Sequence, residues 1–227
     1  MIRQLARLPL RRFARSRMAW LSVASWSCVA VASAWWWHRS GTSAPAGRAL
    51  LSAYATLSVP LLCSALAAAV ARGGSLLSAA NVLSGFGARS RQVALVHLGV
   101  AAGGAAGLCA LLACVVVAVA HGPGDPPVWR DLFTSAWVGA LAGGAFCSLF
   151  CAGSCFGKRG GGRNFLLVAS WIGGAGALGS LLPAAHLRSL LGGGAVGDLG
   201  QRASALALAL IGCVSALVVA YRARDRN

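Results

Sequence analysis

"VALVHLGVAAGGAAGLCALLACVVVAVA", residues 93–120, carries no formal charge and one histidine, His97. Crossing a ~30 Å hydrocarbon core at 1.5 Å per residue takes roughly 20 apolar residues. This run exceeds that, so it reads as a transmembrane helix long enough to tilt or to project. Working outward from it, five further apolar runs lie at about 18–37, 49–71, 132–154, 165–182 and 203–221. The one at 165–182 is short and glycine-rich.

Composition agrees with a membrane domain. The chain has 227 residues, of which 58% are hydrophobic. It has four Asp and no Glu. A soluble domain of this size would normally have about a quarter to a third of its surface charged. The expected fold is therefore all-α: a polytopic membrane protein with six transmembrane helices over 18–221. A basic segment, 1–17, precedes it and a basic tail, 222–227, follows. No segment is long or polar enough to make a separate soluble domain, and no internal repeat relates the two halves.

The formal charge of +16 raises nucleic acid as a partner. The placement of the charges argues against it. The arginines cluster at the ends of apolar runs, as the positive-inside rule requires, and aromatics do not alternate with them. Arg3, Arg7, Arg11, Arg12, Arg15, Arg17, Arg72, Arg89, Arg91, Lys158, Arg159, Arg163, Arg222, Arg224 and Arg226 fall on one side. Arg39, Arg48, Arg130, Arg188 and Arg202 fall on the other. Fifteen against five puts both termini in the cytoplasm. Trp35, Trp36 and Trp37 then mark the outer interface. Nineteen of the twenty basic residues are Arg, and Ala and Gly abound, which suggests a GC-rich bacterial genome and hence the bacterial inner membrane. A second reading of the N-terminus stays open: a basic stretch, an apolar run and Ala32-Ser33-Ala34 resemble a cleavable signal peptide, which would leave five spans.

The residues that carry chemistry are sparse. Asp125, Asp131, Asp198 and Asp225 all lie at or beyond span ends. Ion-driven carriers and intramembrane metalloproteases usually need a carboxylate at membrane depth. His97 is the one ionisable group well inside a span, and it reads as a neutral histidine bonded to a neighbour. Cys147, Cys151 and Cys155 share a helix face without a His or a fourth thiolate nearby, so helix packing is expected there and a metal is not. "GKRGGGRN", 157–164, lacks the spacing of a phosphate loop and reads as a tight turn. No catalytic, cofactor, metal or nucleotide-binding motif is visible. Any energy for transport would come from another subunit. Gly99, Gly103 and Gly107 share one helix face, and Gly139 with Gly143 repeats the spacing. Such rows let helices approach closely, within one chain or between two.

Between the second and third spans lies "GGSLLSAANVLSGFGARSRQ", 73–92. Leu76, Ala80, Leu83 and Phe86 recur at helical spacing, with Ser75, Ser78, Asn81 and Gly85 between them and Arg89 and Arg91 after them. This predicts a short cytoplasmic amphipathic helix. It either rests among the headgroups or docks a cytoplasmic partner.

At these residues the chain resembles the ABC-2 type transporter permeases, the membrane subunits of one class of ABC transporter. "RQLARLPLRRFARSR" is similar to the family's arginine-rich elbow segment lying along the membrane. "RGGSLLSAANVLSGFGARSRQVALVHLGVA", 72–101, is similar in layout to its cytoplasmic coupling loop. "LLPAAHLRSLLGG", 181–193, with Pro183, His186 and Leu187, is similar to its outer re-entrant segment. "YRARDRN" is similar to its short basic end. The resemblance covers nearly the whole chain, in layout more than in letters. It implies a non-enzymatic export subunit for an amphiphilic or other small substrate. Ser75, Leu76, Ala80, Leu83, Phe86, Arg89 and Arg91 would contact a separate ATP-binding cassette subunit, and two permease subunits would pair. The other expectation is a membrane scaffold or assembly protein with no transport path. An intramembrane enzyme is disfavoured, because no carboxylate pair, His cluster or Ser/His/Asp set lies at membrane depth.

Overall fold

The computed structural model describes residues 2–71, 74–84, 89–172, 177–197 and 199–224. Among them there is no strand, only an isolated bridge between Val196 and Leu199. Ten α-helices follow in order: α1 (Ile2–Arg15), α2 (Arg17–Arg39), α3 (Pro45–Ala49), α4 (Val59–Val70), α5 (Leu76–Ser84), α6 (Ser90–Ala120), α7 (Val128–Gly153), α8 (Gly162–Ile172), α9 (Pro183–Leu190) and α10 (Gln201–Arg222). A π-helical stretch, Leu50–Ser58, joins α3 to α4, making one helix of 26 residues.

Local chemistry sets several boundaries. Ser16 ends α1 and caps α2, its Oγ accepting from the Ala19 amide at 3.2 Å. Pro45 opens α3 and Pro183 opens α9, first-turn positions where the missing N–H costs nothing. Leu182, just before Pro183, is held extended at φ −113°, ψ 139°, because the proline ring disfavours α geometry in the preceding residue.

Five helices are long and apolar enough to cross a membrane: Arg17–Arg39, Pro45–Val70, Ser90–Ala120, Val128–Gly153 and Gln201–Arg222. The run expected to cross at 165–182 is not one described helix. It gives α8, then a 3-10 turn at Ala177–Leu181, then α9. Residues 173–176, "GGAG", lie outside the described residues.

α6 and α7 form the central antiparallel pair, with α4 and α10 packed on α7 and α2 on α6. Tyr54, Leu62, Phe146 and Phe150 are fully buried at the centre, and the two phenylalanine rings sit 5.9 Å apart at 41°. Large apolar side chains also point outward, among them Trp20 and Leu21 of α2 and Leu206, Leu210 and Leu217 of α10. In water such a belt would be a large exposed patch; on helices of spanning length it is compatible with a membrane protein.

The bundle has two distinct ends. At one, His38 Nδ1 lies 3.1 Å from the His121 carbonyl oxygen and the Ala44 amide donates to Pro123 O at 3.1 Å. At the other, Ser90 Oγ donates to Ala223 O at 2.8 Å, tying the start of α6 to the end of α10. There Arg222 also reaches Cys155 O at 3.5 Å and covers the Phe156 ring at 4.7 Å. This second end, rich in arginine, holds α5 and the start of α6.

Candidate functional site

α5 lies at the arginine-rich end and packs along α6. Its first turn is held by serines: Ser75 Oγ accepts from the Leu77 amide at 3.2 Å, and Ser78 Oγ donates to Ser75 O at 2.7 Å. Leu76 and Ala80 are 1% and 2% exposed and belong to the main core. Ser78, Asn81 and Val82 face outward. Of the expected partner-contact residues, then, Leu76 and Ala80 contact this chain itself. Leu83 belongs to α5, but its side chain, like the whole of Phe86, lies outside the described residues.

Arg89 and Arg91 are exposed at the head of α6. With Gln92, Leu95 and Arg224 they line a cavity of about 470 Å³. Arg224 joins them from the far end of the chain because Ser90 is bonded to Ala223. Its guanidinium lies 5.4 Å from the Tyr221 ring centroid. No spacing rule links positions 89 and 224, so sequence reasoning missed this grouping.

The segment from α8 to α9 forms the second unusual region. Pro60 has no N–H to offer the Thr56 carbonyl one turn earlier. Trp171, at the end of α8, donates its indole N–H to that carbonyl at 2.9 Å. Thr56 lies well inside the 45–70 helix, so α8 is anchored far from either loop. α9 is buried almost throughout: Pro183, His186, Leu187 and Ser189 are all inaccessible. His186 Nε2 lies 2.8 Å from Ser180 O. A carbonyl oxygen only accepts, so Nε2 carries the proton, and Nδ1 is buried with no hydrogen-bond partner among the described residues. Ser204 Oγ donates to Ser189 Oγ at 3.4 Å, which places the end of α9 beside the start of α10.

The glycine rows divide. A Cβ on Gly139 would meet Tyr54 Oη at 2.5 Å and Cys109 O at 2.8 Å; one on Gly143 would meet Ala105 O at 2.6 Å. This row is where α7 touches α6. Gly99, Gly103 and Gly107 are exposed, with nothing within 4 Å of a Cβ. His97 is buried, its Nδ1 2.8 Å from Val93 O. Cys147, Cys151 and Cys155 are buried free thiols, and among the described residues no three His, Cys, Asp or Glu side chains come together to hold a metal. Asp125 Oδ2 accepts from the amides of Ala46 and Gly122 at 3.2 and 3.0 Å. Asp131 sits in the first turn of α7 and accepts from Ser135 Oγ at 3.3 Å. Both carboxylates are occupied at the edge of the bundle. The arrangement gathers arginines at one end and holds a buried histidine in α9.

Comparison with protein-family models, with curated proteins and with solved structures finds no match to this chain.

Proposed function

We propose that this chain is the membrane subunit of an ABC-type exporter, driven by a separate ATP-binding subunit that docks at α5. In this reading the arginine-rich end faces the bacterial cytoplasm, with α1 as the elbow, and the α8–α9 segment is a sixth, interrupted crossing. Interrupted helices with buried polar centres are a recurrent feature of transporters. The cargo is an amphiphilic or other small molecule, and two copies pair across the exposed face of α6.

One observation carries the reading: α5 is a short helix fixed to a long one. Its buried side, Leu76, Ala79 and Ala80, is set into the core beside α6. Its outer side, Ser78, Asn81 and Val82, is open. A push on the outer side is thereby delivered to α6, and through it to α7. A helical scaffold without its own energy source needs such a handle to be switched by a partner.

The test is purification of the tagged chain in mild detergent from its host, followed by assay of ATP hydrolysis and identification of the bound subunit. A stoichiometric ATPase, lost in a Val82→Asp variant that keeps its abundance and helix content, supports the permease. A preparation without ATPase, even after crosslinking, replaces it with the scaffold reading. That second reading draws on the same helix, because α5 spends its most apolar side on its own chain.

A further inference from the structure

We propose that the cavity between the start of α6 and the end of α10 binds the phosphate of an anionic phospholipid. The inference does not depend on the permease reading.

Three arginines, Arg89, Arg91 and Arg224, line the cavity together with Gln92 and Leu95. No carboxylate lines it among the described residues; Asp225, next in the chain, lies outside them. Three cations of one sign gathered in a concave space repel each other unless an anion sits between them. Guanidinium suits a phosphate better than any other cationic side chain, because it donates paired hydrogen bonds in a plane. The amides of Arg91 and Gln92 precede the first bond of α6, from Val93 N–H to Arg89 O at 3.1 Å. They add donors of the kind that anions find at helix starts.

The surroundings choose a lipid over a free phosphate. Leu206, Leu210, Val214, Leu217 and Tyr221 of α10 are all exposed. Their spacing puts them on one outward stripe, and Arg224 continues it one turn further. An acyl chain laid along this stripe ends with its headgroup at Arg224, beside an aromatic residue of the type that marks the membrane interface. Leu95 supplies an apolar wall on the α6 side. A soluble anion would have no use for the stripe.

The probe is chain-spin-labelled phosphatidylglycerol, compared with phosphatidylcholine bearing the same label. The full-length protein is reconstituted in phosphatidylcholine vesicles, and the immobilised fraction of each label is read by electron spin resonance. The expected result is a preference for phosphatidylglycerol that falls at least fivefold in R89Q/R91Q/R224Q, since each arginine near the surface contributes roughly a fivefold preference. A matched triple variant of α1, R7Q/R11Q/R15Q, removes the same charge from another surface and is expected to keep most of the preference. Equal losses in the two variants would mean a diffuse positive surface and would overturn the site. Displacement of the lipid by inorganic phosphate at constant ionic strength would overturn the lipid in favour of a free anion. The single variant R224Q, which leaves the α5–α6 loop and the start of α6 unaltered, guards against misfolding in the triple: an unchanged preference there, with native helix content, also overturns the proposal.

Discussion

Asp125 shows how one side chain organises an end of the bundle. Its carboxylate accepts from Ala46 at the start of α3 and from Gly122 just beyond α6. It thereby satisfies amide groups that a helix start leaves without partners and ties two loops together. Asp125→Ala should destabilise the protein by about 1–2 kcal/mol, as loss of a cap with a charged acceptor does; Asp125→Asn should recover part of it. Thermal unfolding in detergent checks both. At the opposite end Cys155 sits in the loop after α7. Burial, with the neighbouring Cys151 adding to it and Arg222 opposing, pushes its thiol up to about 12. A raised thiol pKa means the unreactive protonated form persists to high pH. Alkylation of Cys155 at pH 8 should run roughly a thousandfold slower than that of an ordinary thiol, and should accelerate as pH climbs towards 12. Site-resolved mass spectrometry after a timed iodoacetamide pulse measures this. Labelling at the rate of a free thiol would contradict the burial of the loop.

At the scale of elements, the two glycine rows make opposite predictions from the same spacing. Gly143→Ala places a methyl 2.6 Å from the Ala105 carbonyl oxygen. Backbone cannot retreat as a flexible side chain can, so overpacking of about 1–3 kcal/mol is expected. Gly103→Ala meets nothing within 4 Å and should leave the unfolding midpoint of the isolated chain unchanged. Sequence periodicity identified both rows and could not distinguish them, because a row of small residues fits any close neighbour. The α8–α9 segment is similar. Its glycines and Pro183 are visible in the sequence, and its hydropathy reads as a span. The end of its first helix is held by Trp171 donating to the Thr56 carbonyl, 115 residues earlier in the chain, a contact no local pattern announces. Trp171→Phe removes that bond while keeping an aromatic ring. It should increase hydrogen exchange at the end of α8 and leave α6 and α7 protected as before.

At the scale of the whole molecule, five helices among the described residues are long and apolar enough to cross a membrane; they enclose a core of small side chains and a few aromatics, and large apolar side chains also face outward. The outward face of α6, with Gly99, Gly103 and Gly107, is where the proposed pairing of two copies would be read. Gly103→Leu should keep the monomer's helix content and lower the dimer fraction in crosslinking or single-molecule photobleaching. An unchanged dimer fraction would move the contact elsewhere or remove it.

The sequence by itself determined that the chain is helical and apolar on the scale of a bilayer. Charge depletion and unbroken runs such as 93–120 leave a backbone no other way to satisfy its hydrogen bonds in lipid. It also indicated an interruption in the stretch around α5, between the second and third apolar runs, since that depends on neighbours within a few residues. Only the tertiary structure decided which face of each helix is used. It put Leu76 and Ala80 of α5 into the chain's own core, set Gly139 and Gly143 against α6 while turning Gly103 outward, and buried His186, whose Nδ1 has no partner among the described residues. It also gathered Arg89, Arg91 and Arg224 around one cavity. The reason is physical: a pattern repeating every three or four residues defines a face and says nothing of what lies opposite. Opposition is set by contacts between residues far apart in the chain, as when Ser90 bonds to Ala223 and draws Arg224 to the head of α6.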